Sequence, residues 1–492
     1  MLTRLRALSS VAAVAVTVGL AAPAWAETLQ EAIALAYQTN PTLLAQRATQ
    51  RALDESVPQA RAGLRPTIGV SGSAQYSRTD GGVGGSIESD TGSVGIDLSQ
   101  NLYTGGRIGL GIAAAEANVL AGRENLRAVE QQVLASVIQA YVDVLRDMEI
   151  LRVRQENLGV LQRQLEEASA RFEVGEITRT DVAQSEARLA QTEADLANAQ
   201  AQLSVSRAAY AAIVGQAPTD LAPPPILPNV PTDFDAALDV ALVDNPTLRA
   251  SAFDLQAAEA RVAQARAEYL PSARLSASYG GTGDLSDFDL ADRRSFTATA
   301  SVSVPLFTGG LNASQVRQAL EQANAAQIRV EGERRTVLQN VSASFAQVIS
   351  ARATLAAGEE AVRAASVAAE GVRQEAQVGL RTTLDVLNQE LELRSAQVTL
   401  ASARRNEYVA QAQLLAAMGR LEGADLDPTL TVYDAAANTD RVRMRGALPW
   451  DGVIEAIDRI AAPPIMPATD APDAPIDQQL KSEIVTTAPA GD

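Results

Sequence analysis

The sequence predicts an α+β membrane protein built from two copies of one helix-strand-strand-helix unit. Three observations predict it: a long internal repeat, paired short strands of alternating polarity, and helical runs too long for a globular core. The repeat comes first. Asn40-Pro41-Thr42-Leu43 recurs as Asn245-Pro246-Thr247-Leu248, an offset of 245 − 40 = 205. Leu102-Tyr103-Thr104-Gly105-Gly106 recurs as Leu306-Phe307-Thr308-Gly309-Gly310, an offset of 306 − 102 = 204. Asp181-Val182 and Asp385-Val386 keep the offset of 204, so the copies differ by one residue between Pro66 and Leu102. A period this long marks a duplicated domain rather than a solenoid array.

Residues 1–26 read as a signal peptide. Arg4 and Arg6 precede an apolar stretch from Val11 to Ala22, and Ala24-Trp25-Ala26 forms a small-residue cleavage site before Glu27. A membrane anchor is the alternative, but the apolar stretch is short. The first repeat spans 27–216. Asn40 caps a helix that Pro41 opens and that runs to about Leu64, before Pro66. The period then changes to two. Ile68, Val70, Ala74 and Tyr76 alternate with small polar residues, as do Val94, Ile96, Leu98 and Leu102, giving strands at about 67–76 and 92–103. A Pro-rich linker covers 217–231, and the second repeat covers 232–423 with strands at about 272–279 and 295–307. The last strand is the clearest, with Phe296, Ala298, Ala300, Val302, Val304 and Leu306 on one face.

Such strands match transmembrane β-strands, with lipid on one side and water on the other. A soluble half-buried sheet alternates in the same way. Tyr76, Tyr103, Tyr279, Phe296 and Phe307 lie near strand ends, where an interfacial aromatic girdle would place them. Four strands cannot close a lipid-spanning barrel, and open edges are not tolerated in hydrocarbon, so a membrane sheet requires oligomerisation.

The helix after Gly106 continues to about Phe172 without proline, about 100 Å at 1.5 Å per residue. Its apolar residues repeat every seven: Val137, Val144, Leu151, Leu158, Leu165 and Phe172. Val341, Val348, Leu355 and Val362 keep the frame in the second copy, followed by Ala369 and Ala376, so coiled-coil contacts are expected in both. Gly175 and Gly379 break the helices, and shorter helices return, capped by Thr180 or Asp181 and by Thr383. Segment 424–460 follows, with a short helix expected from Trp450 to Ile460 packed on the long helices. Residues 461–492, rich in Pro, Ala and Asp, read as a disordered tail.

Composition removes most chemistry. There is no Cys and no His, and Lys481 is the only lysine. Thiolate or imidazole catalysis, a Schiff-base lysine in the body of the chain and the usual zinc sets are excluded, and no catalytic residue, metal ligand or cofactor site is expected. Without Cys the mature N-terminus cannot carry a lipid anchor. A net charge of −18 argues against nucleic acid. That charge serves solubility or, alternatively, a cation-favouring lumen.

These segments together resemble the TolC family of outer-membrane efflux and type I secretion channels, from about Glu27 to Gly423. The Asn-Pro-x-Leu starts carry the resemblance, with Phe307-Thr308-Gly309-Gly310-Leu311-Asn312-Ala313-Ser314-Gln315-Val316 and the turns Val174–Val182 and Val378–Val386. The resemblance implies a homotrimer whose twelve strands form one β-barrel in the outer membrane, continued by a long α-helical coiled-coil tunnel in the periplasm. It implies a periplasmic adaptor, an inner-membrane RND or ABC transporter, and export of drugs or secreted proteins. It implies that the breaks at Gly175 and Gly379 form a periplasmic gate, in which Arg381 bonds Thr180 and Asp181 of the neighbouring turn and Asp385 lines an acidic ring. Ala376 and Asn388 depart from the family pattern, which places a latch tyrosine and a second ring aspartate there. The competing reading is a soluble periplasmic coiled-coil adaptor.

Overall fold

The computed structural model describes residues 26–81, 86–285 and 293–468. The expected leader, apart from Ala26, and the tail from 469 lie outside the described residues.

The first copy begins with a helix that the periodicity did not reveal, α1 (Leu29–Thr39), closed at its start by a Thr28/Glu31 capping box. Asn40 ends α1 and caps α2 (Pro41–Asp54). The single helix expected up to Leu64 is two. A break at Glu55 precedes α3 (Ser56–Ala62). Pro58 explains it, since its ring clashes with the carbonyl four residues back, at Asp54. Strands β1 (Thr67–Asp80) and β2 (Ser86–Tyr103) follow, then the 67-residue helix α4 (Arg107–Glu173) and the returning α5 (Arg179–Val214).

The second copy repeats this order: α6 (Phe234–Asp244), α7 (Pro246–Ala267), β3 (Ser272–Asp284), β4 (Arg293–Ser303), the 67-residue α8 (Leu311–Gln377) and α9 (Thr383–Ala417). Ala263 stands where the first copy has Pro58, and α7 is unbroken. The duplication extends to single bonds. Asn40 Nδ2 donates to the Ile213 carbonyl and Asn245 Nδ2 to the Ala417 carbonyl, both at 2.9 Å, so each cap side chain ties its helix to the end of its own returning helix.

The core lies where these helices cross. One cluster joins α1, α4, α5 and α9 with Leu221 and Leu227 of the linker, and a second joins α6, α8 and α9. Val137, Val144, Val341 and Val348 are buried there. Nearer the tip the seven-residue frame drifts. Phe172 is 43% exposed, and Leu161 and Ala168 take the inner face. Two causes act together: the helix has left the neighbours that surround it where the helices cross, and a 3.6-residue turn slips against a repeat of seven.

The C-terminal segment carries α10 (Gly423–Leu426), α11 (Ala436–Val442) and α12 (Asp451–Asp458). It runs as a strap along the first copy. Thr439 Oγ1 and Asn438 Nδ2 donate to the buried Asp54, Arg65 Nε donates to Asp451 at 3.0 Å, and Thr104 Oγ1 donates to the buried Asp458 at 2.7 Å. The strap then crosses to the second copy. Disorder was expected from residue 461, but the Ala468 amide donates to Glu259 of α7 at 2.9 Å, so residues 461–468 are held.

Candidate functional site

The four strands form one antiparallel sheet in the order β1-β2-β3-β4. Register assigns its faces. Val70, Ile96, Tyr279 and Phe296 lie opposite one another in one row, and Ile68, Leu98, Ala277 and Ala298 in the next row on the same face. The other face carries Ser71, Gly95, Gly280 and Ser295 in one row and Asp97, Ser278 and Thr297 in another. On it Ser71 donates to Asp97 at 2.8 Å, and Ser73 and Ser93 share a hydrogen bond of 2.8 Å. The apolar face has no cover. Ile68 is 70% exposed, Val70 76% and Phe296 70%. A soluble adaptor would bury such a face against a protein layer, and no described element lies on it. β1 and β4 present unpaired edges, β1 running away from the helices and β4 returning to them.

The expected aromatic residues occupy different levels. Tyr103 closes β2, and its hydroxyl donates to the Ile460 carbonyl at 2.9 Å. Tyr279 and Phe296 are cross-strand partners within the sheet, and Tyr76 lies further out, opposite Asp90. Phe307 is not on a strand. β4 ends at Ser303, because Pro305 cannot donate to a ladder, and Phe307 is 89% exposed in the following loop.

At the other end each hairpin turns through a left-handed glycine, Gly175 and Gly379, both at φ +80°. The Glu176 amide bonds the Arg171 carbonyl and the Leu380 amide the Glu375 carbonyl, each at 2.9 Å, so both turns are C-caps of the same kind. The returning helices are capped by Thr178 and Thr382, not by Thr180, Asp181 or Thr383. The cause is a pair of capping boxes. Asp181 accepts the amide and hydroxyl hydrogens of Thr178 at 2.9 and 2.8 Å, and Asp385 accepts those of Thr382 at 3.0 and 2.8 Å. These bonds, with the Arg381 charge adding to them, hold the Asp385 carboxyl below its ordinary range.

Arg381 Nε donates to Glu375 Oε2 at 2.7 Å, within its own turn. It does not meet Thr180 or Asp181 of the same chain. Sequence reasoning missed Glu375 because the two residues are six apart, and only the left-handed glycine folds them together. It also missed two contacts of high sequence separation or deep burial. Arg188 Nη2 of α5 donates to Asn388 Oδ1 of α9 at 3.3 Å, tying one hairpin to the other near the tip. Glu390, 1% exposed, pairs with Arg373 and lies 3.6 Å from Arg394. A cleft of 480 Å³ between the hairpins is lined by Arg163, Arg171, Arg373 and Arg381. The cleft therefore gathers four guanidinium groups, with Glu167 as the one carboxylate in its lining. Among the described residues no group of His, Cys, Asp or Glu side chains could hold a metal ion.

A sheet with a bare apolar face, rooted on helical hairpins about 100 Å long, defines a subunit of an outer-membrane duct. The chain belongs to the outer membrane efflux protein family, whose model matches residues 32–216 and 237–420, one stretch in each copy. It is 36% identical to the outer membrane efflux protein BepC of Brucella suis biovar 1, over 83% of this chain and 89% of that one. It is 29% identical to the outer membrane protein TolC of Vibrio cholerae, over 83% and 94%. Among solved structures, CusC superposes with a TM-score of 0.70 at 20% identity, covering 80% of this chain and 92% of that one. VceC of Vibrio cholerae superposes at 0.68 with 23% identity, covering 80% and 96%. The protein is an outer-membrane exit duct that reaches into the periplasm. Its family consists of transport channels, which work as homotrimers with adaptors and inner-membrane transporters.

Proposed function

We propose that three copies of this chain close a twelve-stranded barrel by pairing β4 of one copy with β1 of the next, and that the duct is passive and gated at its helical tips. Supporting this is the sheet itself, whose two free edges run antiparallel to each other and so can pair around a ring. In the ring the apolar face meets lipid, and the Ser, Thr and Gly face lines the lumen. Tyr103 and Phe307 stand at the periplasmic boundary and Tyr76 toward the outer one. The duct receives its cargo from a periplasmic adaptor and an inner-membrane RND or ABC transporter. That cargo comprises drugs, other toxic small molecules or secreted proteins, in keeping with relatives named for efflux, alkaline protease secretion and pyoverdine export.

The gate reading rests on Arg381. Glu375 engages its Nε and orients the side chain, while its two Nη groups make no hydrogen bond among the described residues. Asp181 uses Oδ2 for its cap and keeps Oδ1 open, with Thr180 exposed beside it. A bond from Arg381 to Thr180 and Asp181 of the next copy locks the tips, and Asp385 lines the narrowed entrance. Arg188 and Asn388 hold the two hairpins of one copy together where the latch tyrosine is replaced by Ala376. Reconstituted in planar bilayers, Arg381→Ala is expected to raise single-channel conductance above that of the unsubstituted protein. Equal conductance would remove Arg381 from the gate.

A further inference from the structure

The first residue expected after leader removal is not a loose end. Glu27 is 7% exposed, beside the largest core cluster. Its backbone bridges the inter-copy linker in parallel at Leu221. The Glu27 amide donates to the Asp220 carbonyl at 2.7 Å, and the Ala222 amide donates back to the Glu27 carbonyl at 2.9 Å. The same carbonyl accepts the Tyr141 hydroxyl at 2.8 Å. The side chain is held equally closely. Glu27 Oε1 accepts the hydroxyl of the fully buried Tyr210 at 2.6 Å and Gln216 Nε2 at 2.9 Å. Its other oxygen, Oε2, is buried and without a partner. A buried carboxylate oxygen left unsatisfied is costly, so the site as it stands lacks a donor.

We propose that this pocket is the docking site for the mature amino terminus, and that leader cleavage completes the seam between the first copy and the linker. The inference rests on the expectation that the leader is removed after Ala26, and it is independent of the gate. A signal peptidase adds water across the Ala26–Glu27 amide, leaving a carboxylate on Ala26 and an ammonium on Glu27. The single amide donor becomes a charged group with three protons. One keeps the bond to the Asp220 carbonyl, now charge-assisted, and another serves the unpartnered Oε2. The positive charge also offsets a carboxylate removed from water. Burial, followed by the Glu27 carboxylate, pushes the Tyr210 hydroxyl well above the ordinary phenol range, so it stays a donor to that carboxylate. Cleavage precedes docking, because the residue after the scissile bond must be free to enter the peptidase and is inside the protein once docked.

The site joins three parts distant in sequence. Tyr141 lies on α4, Tyr210 on α5, and Asp220 to Ala222 on the linker that leads into the second copy. A docked terminus therefore fixes where the second copy departs from the first.

The test uses the full-length protein extracted from outer membranes. Intact mass reports the first residue. A start at Glu27 is expected, and any other start overturns the proposal. A Gly-Ser pair inserted between Ala26 and Glu27 leaves export and cleavage in place and moves the amine two residues away from Asp220. That variant, confirmed by mass to begin with the inserted Gly, is expected to lose its oligomer on heating at a lower temperature than the native protein. Glu27→Gln keeps the acceptor for Tyr210 but removes the charge, and a smaller shift in the same direction is expected. An extended protein with native heat resistance would show that the amine has no role there, and would overturn the proposal.

Discussion

Asp385 works on both sides of its helix end. Its Oδ2 closes the capping box with Thr382, and its carboxylate lies beside the Arg381 charge. Because the folded carboxyl is held below its ordinary range, the cap is fully present at and above that range and is lost as pH falls through the lower folded value. Amide exchange at 382–386 is therefore expected to stay slow through the ordinary carboxylate range and to quicken only beneath it. In Asp385→Asn, exchange there should already be fast at neutral pH. An unchanged profile in that variant would show that the carboxylate does not hold the turn. The residues of the tip were legible in the sequence, but their bonds were only partly so. Thr178-x-x-Asp181 and Thr382-x-x-Asp385 are visible capping boxes, yet the neighbouring Thr180 and Thr383 compete as caps on composition alone. Arg188 and Asn388 are 200 residues apart, and no local pattern announces their contact.

At the scale of the elements, alternation located every strand but not its length. β1 runs on through Arg78 and Asp80 because β2 continues opposite it, with Arg78 paired to Glu88. A strand end made of charged residues carries no apolar signal. The first-copy helix was expected whole, although Pro58 was in view. A single proline inside an otherwise helical stretch can kink a helix or divide it, and packing decides which. The assignment of faces makes a sharp prediction. Ile96 and Asp97 are neighbours on β2 that point to opposite sides of the sheet. Ile96→Arg places a cation in lipid, at a cost of about 2–4 kcal/mol per copy near the bilayer midplane, and heat-stable oligomer in the outer-membrane fraction is expected to fall sharply. Asp97→Arg places it in water and should leave assembly near native. A sharp loss from Asp97→Arg with Ile96→Arg near native would mean that the faces are assigned the wrong way round.

For the whole molecule, the strap is what the repeat cannot explain, because it has no counterpart after the first copy. It passes from Asp54 to Thr104 to Glu259 and thereby joins the base of the sheet to both copies. Asp458→Ala removes the acceptor that holds Thr104, with an expected loss of about 1–3 kcal/mol and earlier cleavage of the C-terminal segment in limited proteolysis. Native resistance to protease would show the strap to be held elsewhere. The sequence read as disordered from residue 461 because Pro and Ala give no periodic pattern. Residues 461–468 take their order from partners on α7, which only the folded chain supplies.

The strap also leaves the two strand-to-helix junctions unequal. A side chain at Gly105 or Gly106 would run into Leu270 and Ala462, whereas one at Gly309 or Gly310 would meet open space, and Leu306 beside them is 94% exposed. One junction is finished by the subunit itself, and its twin is finished only by company. A newly exported subunit therefore adds an unfinished junction to its open strand edges and bare apolar face, which makes the interval between export and assembly its most vulnerable period. During that interval, survival depends on how soon it meets another copy.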